Sequence, residues 1–187
     1  ISTVGTVFQV TTNGGLTTLA SFSGTNGAMP QAGLTLGLDG NFYGTTTYGG
    51  ISDAGTIFQV TTGGSLKTLV NFNSTNGALP YGQLTLGSDG DLYGTTSSGG
   101  ISTGPFQASS NSSVSVFGTV FRVTTNGTLT TLADLTMYED YGGIYAGLTN
   151  VIGWNPYGQL IQGADGGFYG TTSGGGANGS GAIFEVS

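Results

Sequence analysis

Three aspartates precede glycine in matching surroundings, Asp39-Gly40, Asp89-Gly90 and Asp165-Gly166, and they are the first residues to weigh for chemistry. General acid–base catalysis needs a carboxyl or imidazole with a shifted pKa, commonly beside a second titratable group. The sequence has no His and no Cys, which removes Ser-His-Asp and Cys-His nucleophiles and every His- or thiolate-ligated metal site. Asp-Gly-Asn at 39–41 and Asp-Gly-Asp at 89–91 share the start of a calcium loop but lack its downstream bidentate Glu. Asp before Gly reads instead as a hairpin residue capping its own turn, in the type I′ form. Gly49-Gly50, Gly99-Gly100 and Gly174-Gly175-Gly176 are followed by neither a helix nor a Lys, so they read as turns between units rather than phosphate cradles. Asp134, Glu139 and Asp140 make one further acidic group, read as a solvated loop in preference to a Ca²⁺ site. No catalytic, cofactor-binding or metal-ligating set emerges, and the protein is expected not to be an enzyme.

Composition narrows the rest. Glycine supplies 38 of the 187 residues, and only 6% are charged, against about 7% Gly and about a quarter charged in ordinary domains. Gly and Thr at this density disfavour helix, so the chain is expected to fold as β structure. Lys67 and Arg122 are the only basic residues against nine acidic ones, giving a net charge of −7. That excludes nucleic acid, whose phosphates need cationic partners, and electrostatic docking to anionic lipid. No apolar run reaches the roughly 18 residues of a membrane span. The sequence opens at Ile1 with neither Met nor a signal-peptide pattern, and is read as the mature part of an exported precursor.

Self-similarity is the strongest signal. Gly5-Thr6-Val7-Phe8-Gln9-Val10 returns at Gly55, at Gly118 and, as Gly181-Ala182-Ile183-Phe184-Glu185-Val186, a fourth time, with spacings of 50, 63 and 63 residues. The repeats run over about 5–54, 55–117 with an insertion at 102–116, and 118–180 with an insertion at 136–153, within one domain of 1–187; an extra strand follows at 181–187. Insertions placed at the junctions between units are expected to be loops free to vary. Each unit reads as four short strands: Thr6 to Thr11, Leu16 to Phe22, Gly33 to Leu38, and Phe42 to Thr46, with their equivalents. Gln9, Gln59, Arg122 and Glu185 share one position with different charges, which is expected to face solvent. The fold class is therefore all-β: tandem four-stranded antiparallel units resembling β-propeller blades, three full repeats plus one strand.

The run Gly-Thr-Val-Phe, then Leu-Thr-Thr-Leu, then Asp-Gly-Asn-Phe-Tyr-Gly-Thr-Thr and Gly-Gly resembles the tandem repeat of the GloVer-containing proteins, the Gloeobacter/Verrucomicrobia repeat. The resemblance covers the chain outside its two insertions. It implies a bacterial exported protein, propeller-like, often with a surface-anchoring segment, and without established catalytic residues. On that footing the expected location is extracellular or cell-surface, and the expected role is structural: self-assembly, including into filaments, or surface attachment. A lectin-like carbohydrate-binding module is the alternative, and a polysaccharide-acting enzyme is disfavoured further.

Candidate residues follow from these roles. Tyr138, Tyr141, Tyr145, Trp154 and Tyr157 crowd the insertion of the third repeat and the residues just after it, and suit packing over the blade, a protein interface or a glycan-binding face. Ile183, Phe184 and Val186 belong to the extra strand, which opens a unit without finishing it: the chain reads either as a fragment of a longer array or as part of an assembly, in which this strand is expected to dock on the edge of another copy in preference to its own first unit. Asn73, Asn111, Asn126 and Asn178 lie in Asn-X-Ser/Thr sequences and are candidate glycosylation positions. Partners are accordingly further copies of the chain or glycans, and no cofactor is expected.

Overall fold

The computed structural model describes residues 4–101, 114–138, 153–176 and 178–187, and every regular element among them is a β-strand. The strands are β1 (Thr6–Val10), β2 (Leu16–Ser21), β3 (Thr35–Leu36), β4 (Phe42–Thr46), β5 (Thr56–Val60), β6 (Leu66–Asn71), β7 (Thr85–Leu86), β8 (Leu92–Thr96), β9 (Val114–Val123), β10 (Leu129–Tyr138), β11 (Ile161–Gln162), β12 (Phe168–Thr172) and β13 (Ala182–Val186). Two complete antiparallel sheets, β3-β4-β5-β6 and β7-β8-β9-β10, are flanked by the hairpin β1-β2 and the three-stranded sheet β11-β12-β13.

The sheets cut across the sequence repeats. Each takes its first two strands from the end of one repeat and its last two from the start of the next, so the sheet of β3 to β6 spans residues 35–71 and straddles the boundary between the repeats at 5–54 and 55–117. Five-residue pairing of β4 with β5, Phe42↔Val60 through Thr46↔Thr56, fixes this phase, and β8-β9 and β12-β13 repeat the register. The Asp-Gly hairpins also differ from the two-residue expectation. Gly40 N–H bonds the Gly37 carbonyl at 3.1 Å and Gly37 N–H bonds the Asn41 carbonyl at 2.9 Å, closing a three-residue loop in which Gly40 (φ 76°) is left-handed and Asp39 is not. Asp39 needs no positive φ because its carboxylate caps the turn, accepting from Asn41 N–H at 3.1 Å.

The insertions of the second and third repeats are not wholly loop. Val114–Val116 and Thr136–Tyr138 extend β9 and β10, pairing Val116↔Thr136 and Val114↔Tyr138, so the two inserted segments prolong one hairpin.

Aromatic contacts join successive sheets. Phe22 packs edge-on to Phe58 at 4.9 Å, Phe72 lies 5.5 Å from Phe121, and Tyr93 stacks on Phe168 at 3.8 Å. The strand-pair glycines make room for these rings: a Cβ on Gly44 would stand 2.6 Å from Cζ of Phe58, which lies directly across from it in the ladder. Thr46 and Thr56 share a buried hydroxyl bond at 2.8 Å, repeated by Thr96 and Thr119 at 2.9 Å. That bond satisfies polar groups on strands buried on both faces, which explains threonine in the Gly-Thr-Thr segment.

Candidate functional site

The repeated aspartates serve the turns. Asp39, Asp89 and Asp165 each cap the backbone two residues on, at 3.1 Å, and accept the hydroxyl of Tyr43 (2.8 Å), Tyr93 (2.7 Å) and Tyr169 with the other oxygen. Burial would raise the carboxyl pKa of Asp39, but donors from Tyr43 and Asn41 outweigh it and hold it below 3.8. For Tyr43, burial and then the Asp39 bond push the phenol up to about 12. The position of variable charge joins this group: Gln59 donates to Tyr43 Oη at 2.7 Å and to Asp39 at 3.3 Å, and Arg122 lies 3.5 Å from Asp91. Gln9 and Glu185 stay exposed at the two ends, so solvent exposure holds there and is only partial in the interior. The signal for this cluster was present in the four-residue spacing of Asp and Tyr.

Of the aromatic candidates, Tyr141 and Tyr145 lie outside the described residues, and Tyr138 ends β10. Trp154 lies against Phe117 at 6.4 Å, while Tyr157, half-exposed, meets Tyr81 edge-on at 5.1 Å. A hydrogen bond to Tyr48 raises the Tyr81 pKa, so Tyr48, Tyr81 and Tyr157 form a row the sequence did not single out. Glu139 and Asp140 are likewise outside the described residues; Asp134 borders a recess of about 300 Å³ with Thr75, Ile101 and Leu132, and burial pushes its carboxyl up. Asn73 and Asn126 have their side-chain oxygens engaged by Thr75 and Thr128 hydroxyls at 2.8 and 3.0 Å, Asn178 is exposed, and Asn111 falls outside the description.

The extra strand is paired within its own chain. Phe184 is buried across from Gly170 and Val186 is partly buried, while Ile183 is 80% exposed on the opposite face. The expectation of a strand in need of another copy is corrected by this pairing: β12, the last strand of the third repeat, offers the edge that β13 takes.

Large apolar side chains are exposed at interior positions such as Leu38 and Ile51, and also on the first and last described sheets. Phe8, Val10 and Leu16 are 59%, 62% and 70% exposed, although their equivalents Phe58 and Val60 are at 1% and 0%. The difference has one cause. β5 has β4 on its edge and Phe22 of the preceding repeat on its face, whereas β1 has only β2 beside it among the described residues. At the opposite end Ile161 is 68% exposed. Each end is apolar and each presents a different face of the same repeating unit.

The Gloeobacter/Verrucomicrobia repeat model matches residues 2–151, most of the chain. The chain belongs to that family. Among curated proteins, none matches it.

Proposed function

We propose that this Gloeobacter/Verrucomicrobia repeat protein is a non-enzymatic structural component that associates end to end with further copies, in an extracellular or cell-surface setting. The carrying observation is the contrast between Phe8 and Val10, exposed, and Phe58 and Val60, buried. Three large apolar side chains on one hairpin gain roughly 1.5–3 kcal/mol each when covered, enough to drive association once a fitting surface is offered. The two ends are unlike, so the contact is heterologous and propagates into chains or closes into rings. Mass measured by light scattering across a concentration series tests this: growth beyond the monomer is expected, and a constant monomer mass at high concentration rejects it.

A second reading rests on the row of Tyr48, Tyr81 and half-exposed Tyr157, whose rings and hydroxyls suit the apolar and polar faces of a sugar. Retention on polysaccharide columns that is lost in Tyr157→Ala supports it, and indifference of the column to both forms rejects it.

A further inference from the structure

Three hairpins and one lone strand have the same sequence pattern, and among the described residues two of the four lack a partner that the fold supplies elsewhere. β5-β6 lies on β4 and β9-β10 lies on β8, each hairpin adding two strands to complete a four-stranded sheet. β12 instead holds the single strand β13, and β1-β2 is a hairpin with no such strand on its free edge among the described residues. We infer that the β1-β2 hairpin of one copy seats on β12 of another, displacing β13, so that β11-β12 and the incoming β1-β2 form the missing complete sheet. This rests on the end-to-end reading above and specifies how the ends join.

The β4-β5 register sets what β1 would meet on β12. Val10 falls opposite Phe168, Gln9 opposite Tyr169, Phe8 opposite Gly170 and Thr6 opposite Thr172, as Val60, Gln59, Phe58 and Thr56 do on β4. At two of these positions β1 fits β12 better than β13 does. Thr6 restores the hydroxyl pair seen at Thr46-Thr56 and Thr96-Thr119, whereas β13 has Ala182 there. Gln9 restores the amide that Gln59 gives to Tyr43 and Asp39, whereas Glu185 brings a second carboxylate beside Asp165 and Tyr169. Phe8 gains the glycine on which Phe58, Phe121 and Phe184 rest, and β2 supplies the outer strand that β13 lacks.

A second, separate observation fits the same junction. Between repeats inside the chain, Thr35 donates to the Leu84 carbonyl while Gln83 reaches back to the Leu34 carbonyl at 3.0 Å; Thr85 donates to the Leu160 carbonyl and Gln159 reaches back to that of Leu84 at 3.4 Å. At the forward end the Thr position is Ile161, and at the rear end the Gln position is Gly33. Both polar members are missing together, and the bulk of one faces the absence of a side chain in the other. Joining β1-β2 to β12 carries β3 of the incoming copy to β11, which brings Ile161 and Gly33 into the places of Thr35 and Gln83. The occupant is a second copy rather than the same chain, because closing the described sheets on one another, with β1-β2 on β12, would make a ring of three, fewer than the four to eight blades that propellers use.

The natural absence of Cys makes the test direct. Thr6→Cys and Thr172→Cys variants of the 187-residue chain, differently tagged, are mixed and oxidised; a disulfide between the two is expected, since Thr46 and Thr56 touch at the equivalent place. Ala182→Thr with Glu185→Gln, which gives β13 the residues of β1, is expected to raise the concentration needed for association by roughly tenfold. Phe8→Ser with Val10→Ser, both exposed in the single copy, is expected to abolish association while the single copy keeps its melting temperature. Association that persists without the disulfide and ignores the β13 substitutions overturns the strand exchange and leaves end-to-end association standing. No association by the unsubstituted chain overturns both. A disulfide formed inside a monomer by the Thr6→Cys/Thr172→Cys double variant overturns the second copy as occupant.

Discussion

Gly40 and Gly55 both have positive φ, 76° and 98°, for different reasons. A Cβ on Gly40 would touch nothing within 4 Å, so Gly40→Ala costs only its backbone strain, about 1 kcal/mol. A Cβ on Gly55 would stand 2.5 Å from the Thr46 carbonyl oxygen and 2.6 Å from Pro80 Cδ, so Gly55→Ala adds a clash with backbone to the strain and should cost more than about 2 kcal/mol. Chemical denaturation of the two variants checks the order, and equal losses would contradict it. The residue before each repeated proline has the opposite problem. Met29, Leu79 and Asn155 are left-handed, each at φ 56°, where a side chain is strained and where a following Pro favours extended backbone. Backbone bonds hold them there: Met29 N–H to the Val4 carbonyl at 2.8 Å, and Thr47 N–H to the Met29 carbonyl at 3.1 Å. Met29 is exposed, so Met29→Gly should relieve strain at little packing cost and stabilise by about 1 kcal/mol, read as a higher melting temperature. Leu79 packs on the core, and the same change there should not stabilise.

At the scale of the element, the Asp-Tyr pair locks each hairpin to the strand it opens, and its pH dependence has two signs. The Tyr43 phenol, at about 12 in the fold and 10.0 when free, contributes stability that is complete below pH 10 and lost as the pH rises through 12. The Asp39 carboxyl is held below 3.8, so its contribution is complete above that value and lost as the pH falls past it. A melting temperature that falls both above pH 10 and below pH 4, with the latest phenolate absorbance component diminished in Tyr43→Phe, is the expected outcome; a Tyr43→Phe titration identical to that of the parent chain rejects the assignment. The strands themselves were legible in the sequence: Phe42 to Thr46 and its equivalents coincide with β4, β8 and β12, because a hairpin dipeptide marks their start and Gly-Thr-Thr their end. Where one sheet stops and the next starts was not. A period has no phase, and a strand such as β5 looks the same whether it opens a sheet or fills its third place. The pairing with Gly44, visible only in the ladder, decides it. The candidate surface was half legible: the duplicate strand at 181–187 was plain, but its β12 partner and the exposure of Phe8 follow from that phase. Ile161 and Gly33 are departures from a pattern that acquires meaning only once Thr35 and Gln83 are known to contact the next repeat.

On the scale of the whole molecule, repeats stacked in one dimension have stability that sums unit and interface terms, and exposed end faces forfeit interface terms that interior units enjoy. Here the ends forfeit apolar contact, since Phe8, Val10, Leu16, Ile161 and Ile183 are all exposed there. What opposes recovery of that contact is charge. Each copy has a net charge of −7 with two basic residues in total, so joining copies concentrates like charge. Salt screens this repulsion over about 10 Å at 0.1 M and leaves apolar burial in place. Association of this chain should therefore strengthen as salt is raised from low ionic strength to about 0.15 M, opposite in sign to an assembly held by ion pairs. Sedimentation velocity at a fixed protein concentration reads it as a rise in the larger species with added salt. Because binding the native state stabilises it by mass action, the melting temperature should rise with protein concentration under the same conditions. Dissociation on adding salt would mean that charge pairing, rather than the apolar ends, holds the copies together.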